Sequence, residues 1–102
     1  MTGLNGLQPW LQPYAAYLLA RGAPYGVKVT STYRSYSDQL TLWLNRSSNR
    51  YPVAPPGRSY HQLGRAFDIT GPEWTYPQLG ALWERMGGTW GGRGSDPIHF
   101  QA

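Results

Sequence analysis

Cysteine is absent from the 102 residues, which excludes a disulfide framework, a thiolate nucleophile and a cysteine-ligated zinc finger. No run approaches about 18 consecutive apolar residues, so a membrane-spanning helix is excluded as well. Charge is scarce: 14% of residues are charged, against roughly 25% in an average soluble protein. Acid is scarcer than base, with 5 Asp and Glu against 9 Lys and Arg, a net charge of +4. That balance favours an anionic partner without distinguishing nucleic acid, a membrane surface or a wall polymer. Met1 to Leu11 contains no Lys or Arg, and Pro9 and Pro13 interrupt any apolar stretch there, so no secretory signal is expected.

What is abundant is glycine, proline and aromatic side chains. The 13 Gly and 9 Pro point to many loops, whereas 5 Trp, 8 Tyr and 2 Phe supply the large buried areas that disordered chains lack. The length fits one compact domain, expected to span 1–102 with no separate wall-binding unit.

Leu11, Tyr14, Ala15, Leu18 and Leu19 recur at helical spacing, predicting a helix over about 9–21 that stops at Gly22. The β-branched run from Val27 to Tyr33 predicts a strand. Ser35 or Ser37 can cap a second helix with Tyr36, Leu40, Trp43 and Leu44 on one face. A long loop follows over Asn45–Arg58, then a strand over Arg65–Thr70 and a helix over about Tyr76–Met86, ended by Gly87 and Gly88. A last short strand is expected at Ile98–Phe100. Helices and strands do not alternate regularly, so the expected class is α+β, a small antiparallel sheet with flanking helices. Trp10, Trp43, Trp74 and Trp83 fall on or beside helical stripes and are expected in the core.

Only two histidines exist, His61 and His99. Each alone reads most simply as a hydrogen-bonded structural residue. With Asp68, however, they make up a donor set common in catalytic zinc sites, two imidazoles and a carboxylate with a fourth position open. Gly64 lets the chain turn between His61 and Asp68, and on a strand Ala66 and Asp68 share a face. Asp96 stands three residues before His99, joined through Pro97. It could move a proton as a general base, or serve only as the first residue of an Asp-Pro turn.

The segment Ser59-Tyr60-His61-Gln62-Leu63-Gly64-Arg65-Ala66-Phe67-Asp68, followed by Asp96-Pro97-Ile98-His99-Phe100, resembles the zinc peptidases of the D-alanyl-D-alanine carboxypeptidase and L-alanyl-D-glutamate endopeptidase group, the M15 or VanY-like peptidases. Thr30-Ser31-Thr32-Tyr33-Arg34-Ser35 resembles a third motif of the same group, in the same order along the chain. The resemblance spans about residues 25–101 and implies the Hedgehog/D-Ala-D-Ala-peptidase-like fold. It implies that one Zn2+ is held by His61, Asp68 and His99, that Asp96 is the general base, and that Arg34 binds a substrate carboxylate or carbonyl and steadies the negative oxygen of the tetrahedral intermediate. It makes Ser59 a hydrogen-bonding partner of the peptide substrate. Many members carry Glu where this chain has Asp96. Gly87–Ser95 matches the family's Trp-Gly-Gly-x-Trp stretch loosely, with Trp90 placed beside substrate or, equally, in the core.

The implied activity is hydrolysis of the stem peptides of bacterial peptidoglycan. An L-alanyl-D-glutamate endopeptidase of the phage-endolysin kind is the first expectation and a D-alanyl-D-alanine carboxypeptidase the second. The expected setting is a monomer with no nucleic-acid partner and no membrane insertion, held in the host cytoplasm until it reaches the periplasmic wall. A reading of another class is a basic, non-catalytic module for nucleic acid or glycan. No clustered Lys/Arg patch supports it. Arg46, Arg50 and Arg58 are instead spread along the long loop with Tyr51.

Overall fold

The computed structural model describes residues 3–102. Helix α1 runs Gln12–Gly22 with Pro13 in its first turn, where the missing amide hydrogen is not needed. It begins later than its periodicity suggests because Gln8 O accepts the amides of both Leu11 and Gln12, which closes a turn over residues 8–11. Strand β1 (Lys28–Ser31) is shorter than expected. Its register slips between Val29 and Ser31, and the chain then leaves the sheet to meet the turn that carries His61. Helix α2 is Tyr36–Leu44, capped by Ser35, whose hydroxyl accepts the Asp38 amide at 3.1 Å. After the 45–58 connection come β2 (Ala66–Thr70), α3 (Thr75–Arg85), β3 (Thr89–Trp90) and β4 (His99–Gln101). The two-residue β3, within the glycine-rich Gly87–Ser95 stretch, is a strand that the sequence pattern does not predict.

The four strands among the described residues form one antiparallel sheet in the order β1-β2-β4-β3, so the expected α+β class with a small antiparallel sheet is borne out. Alternation along the strands gives the sheet two different faces. Phe67 and Ile69 of β2, Phe100 of β4 and Trp90 of β3 join Leu11, Ala15 and Leu18 of the α1 region and Leu79 and Trp83 of α3 in one core. Phe67 stacks on Phe100 at 5.4 Å between ring centroids, and Trp83 meets Phe67 edge-on at 5.2 Å. Such pairs each contribute about 0.5–1.5 kcal/mol beyond their buried area. The other face carries Ala66, Asp68 and His99.

Two expectations about packing are corrected. In α2 the interior position is Gln39, 1% exposed, while Tyr36, Leu40 and Leu44 face solvent. The helix turns this side to the polar cleft rather than to the apolar core, and its inward residue hydrogen-bonds Arg34 and the Ala54 carbonyl. Of the four tryptophans expected in the core only Trp83 is there. Trp10 and Trp74 are exposed, and Trp43 is half-buried beneath the Arg46 guanidinium, 3.9 Å from its ring.

Gly80 of α3 faces the Trp90 side chain of β3: a Cβ there would fall within the indole. Gly80→Ala is expected to destabilise the fold by about 1–3 kcal/mol through overpacking, although alanine is the better helix former. Urea denaturation checks it, and unchanged stability would contradict this packing.

Candidate active site

The first ligand motif is folded by its own hydrogen bonds. Ser59 caps a 3-10 turn over Tyr60–Leu63, its hydroxyl accepting the His61 amide at 3.2 Å. Gly64 ends that turn in the left-handed region at φ 65°, a conformation that Cβ-bearing residues adopt only with strain. The chain then enters β2, where Asp68 is the cross-strand neighbour of His99. Residues 32–34 brace the arrangement from the side: the Thr32 carbonyl lies 2.6 Å from His61 Nδ1, and the Arg34 amide donates to the His61 carbonyl at 3.1 Å.

These contacts assign the imidazole atoms. His61 is 2% exposed; its Nδ1–H donates to Thr32, which leaves Nε2 as the acceptor. Nε2 is buried without a hydrogen-bond partner among the described residues, 3.3 Å from Asp68 Oδ1. His99 directs Nε2 to Gln101 Oε1 at 2.7 Å and Nδ1 to Asp68 Oδ1 at 3.2 Å. The three donor atoms lie within 4.8 Å of one another. A buried, unsatisfied nitrogen is costly in a folded protein. A metal ion accounts for it, and two imidazoles with a carboxylate, each imidazole oriented by an outer partner, suit zinc.

Burial alone would push the Asp68 carboxyl up, but proton-bearing imidazoles at His61 and His99 more than offset it and, where no metal takes the proton's place, hold it far below the usual carboxylate range. Burial pushes His99 down, and its hydrogen bonds to Asp68 and Gln101 reverse this, so its pKa lies above the ordinary value. Metal binding requires the neutral imidazole, so protons compete with it below that pKa. Zinc affinity is therefore expected to rise with pH across the neutral range and to level off once His99 is neutral. Competition against a chromophoric chelator measures this, and a pH-independent affinity would be the contrary result.

Arg34 donates from Nη2 to Asp68 Oδ2 at 2.7 Å and from Nη1 to Gln39 Oε1 at 3.3 Å. Gln39 in turn donates to the Ala54 carbonyl at 2.8 Å. This chain of bonds ties the strand, the helix and the 52–58 stretch around one cleft of about 520 Å3, whose lining includes Arg34, Ser59, His61, Asp68, Asp96 and His99. Asp96 follows Ser95, the only non-glycine residue with positive φ (79°) among those described. Its carbonyl accepts the His99 amide at 3.1 Å, which keeps the two side chains on one short turn. Burial pushes the Asp96 carboxyl up; the His99 imidazole acts against this and the Asp68 carboxylate adds to it.

Six of the seven residues singled out in the sequence thus meet at this cleft. Trp90 does not. It is 8% exposed, packed among core residues, with its indole N–H on the Pro97 carbonyl at 2.8 Å, so its place beside substrate is corrected to a core position. Ser59 lines the cleft but its hydroxyl is already the cap of the His61 turn. Sequence reasoning missed Thr32, Gln39 and Gln101. Gln101 had a signal, since it stands two residues after His99 on a strand. Gln39 gave none, because polar helix positions usually face water.

The family model described as VanY, D-alanyl-D-alanine carboxypeptidase, matches residues 15–90, a span that holds Arg34, His61 and Asp68 and stops short of Asp96 and His99. No curated protein sequence matches the chain. Among solved structures, the vancomycin-resistance D,D-pentapeptidase VanY from a VanB-type cassette, a mutant in complex with Zn(II), superposes with a TM-score of 0.68 at 21% identity, over 93% of this chain and 71% of that one. VanYB in complex with D-alanine-D-alanine gives 0.71 at 21%, over 93% and 70%. The Serratia marcescens L-Ala D-Glu endopeptidase ChiX gives 0.70 at 24%, over 97% and 82%. At these identities the superpositions establish a shared fold. With the family model matching residues 15–90, more than half of the chain, and with the implied metal donors converging in one cleft, the chain belongs to the VanY family of peptidases.

Proposed function

We propose that this protein hydrolyses stem peptides of bacterial peptidoglycan at the cleft between α2 and the polar face of the sheet, as an L-alanyl-D-glutamate endopeptidase. The observation that carries the peptidase reading is the unsatisfied His61 Nε2, buried beside Asp68 and His99 with Asp96 on the same cleft. Zinc held by those three residues would supply Lewis-acid polarisation of the carbonyl and of the attacking water. Asp96 accepts the proton of that water as its oxygen joins the carbonyl carbon, and delivers it to the amine nitrogen as the C–N bond breaks. Its raised pKa suits a group that must both take up and release a proton. Arg34 orients Asp68 and contributes permanent positive charge near the developing oxyanion.

Two observations favour cleavage within a peptide. One donor on each terminal nitrogen of Arg34 is engaged, by Gln39 and by Asp68, which leaves fewer of its five donors for a terminal carboxylate. The cleft's other arginine, Arg58, lies exposed at its rim, suited to a carboxylate farther along the stem. The Asp before the last His and the Phe100-Gln101 that follows it also resemble the endopeptidases. The second reading, removal of terminal D-Ala, draws on the description of the matching family model and on Pro97. Mass spectrometry of digested muropeptides decides: a new amino terminus on D-Glu is expected, whereas loss of one D-Ala would replace the first reading by the second. We also propose the phage-lysin setting, a monomer kept in the host cytoplasm until it gains access to the periplasmic wall. Its support is the sequence resemblance and the basic charge that suits an anionic polymer.

A further inference from the structure

A second cleft, of about 660 Å3, opens between the end of α1, the Ala23–Tyr25 turn and α3. It shares no lining residue with the first. Its rim carries Tyr25 and Trp74, 56% and 53% exposed, braced edge-on with ring centroids 5.0 Å apart. Core formation does not explain this pair, because both rings stand outside the hydrophobic cluster. Arg21 and Arg85, in the last turns of α1 and α3, line the same cleft with Gln78. Neither arginine forms an ion pair among the described residues. The two nearby glutamates are engaged elsewhere, Glu73 with Arg50 and Glu84 with Arg93, and among the described residues no carboxylate lines the cleft.

We propose that this cleft binds the glycan strand of peptidoglycan, with Tyr25 and Trp74 as a stacking platform and Arg21 and Arg85 facing the stem carboxylates. Sugar rings present C–H faces that pack on aromatic rings, and their hydroxyl and acetamido groups suit Gln78 and the guanidinium donors. The braced pair loses little freedom on binding, as rigid aromatic anchors do. Basic side chains with no acidic competitor complement a polymer that carries carboxylates. The identity of the polymer rests on the peptidase reading above. Holding the strand on a surface separate from the catalytic cleft raises the local concentration of scissile peptides.

Cosedimentation of the zinc-loaded protein with glycan strands stripped of their stem peptides tests the proposal, beside intact sacculi and a soluble stem peptide. Wild type is expected to bind the stripped strands. Tyr25→Ala/Trp74→Ala should weaken that binding by about tenfold or more, as loss of buried aromatic anchors does. Arg21→Ala/Arg85→Ala should instead weaken binding to intact sacculi, most at low salt. Both variants should cleave the soluble stem peptide at the wild-type rate and sacculi more slowly. Absence of wild-type binding to stripped strands, equal binding by the aromatic variant, or an oligomeric state altered by that variant would overturn the proposal. Failure of wild type to cleave the stem peptide would instead overturn the peptidase reading.

Discussion

His61→Ala is expected to abolish stoichiometric zinc binding and to lower hydrolysis of peptidoglycan by about a thousandfold or more, since the several kcal/mol that a catalytic metal supplies convert at tenfold per about 1.4 kcal/mol. Loss of His61 removes Nε2, a donor that sits buried with no hydrogen bond of its own, and leaves two ligands where a catalytic site has three. It also leaves the Thr32 carbonyl without its donor, so the variant should lose about 1–3 kcal/mol of stability even without metal. Zinc quantification and thermal melts with and without added zinc separate the two effects. Wild type should gain about 2.7 kcal/mol when free zinc stands at a hundred times the dissociation constant, and the variant should gain nothing. If the variant folds too poorly to assay, Asp68→Asn is the second test, because it keeps the packing volume and removes the anionic ligand. A chelator-treated His61→Ala protein with undiminished hydrolysis would dismiss the site.

Asp96→Asn is expected to lower kcat by about 10²–10⁴-fold, the range that positioned proton transfer contributes, while zinc content and substrate binding persist. Stability distinguishes this from a structural role. The Asp96 carboxyl is raised in the fold by burial, so the fold disfavours its ionised form. The stability that this group contributes is present below its unfolded pKa and is lost as pH rises through the folded one. At neutral pH the metal-free Asn variant should therefore melt at or above the wild-type temperature, with its activity gone. A variant that melts lower and keeps its activity would make Asp96 the turn residue that the Asp-Pro pair alone suggests.

Much of this site was legible because its motif is local. Ser59, His61 and Gly64 form a self-contained cap, turn and left-handed stop, and strand alternation alone aims Asp68 away from the core. The core was legible for the same reason where period and burial agree, at Leu11, Ala15, Leu18, Leu79 and Trp83. The stripe of α2 was misread because helical period shows which residues share a face, not what that face meets. Here the facing surface is polar, so Gln39 turns inward while Leu40 and Leu44 turn out. Trp90 was ambiguous because a glycine-rich stretch carries no period. Gly80 and Gly92 make the room for its indole, the first of them from the preceding helix α3.

The sequence by itself determined the donor types, their order, the turn that separates His61 from Asp68 and the absence of cysteine chemistry, because each is a property of residues close together in the chain. Only the tertiary structure decided that β2 and β4 pair in the register setting Asp68 beside His99, that Thr32 and Gln101 choose the imidazole nitrogens, and that Arg34 is held between Asp68 and Gln39. Those contacts join residues up to 34 positions apart, and they exist only where antiparallel pairing and burial bring the segments together.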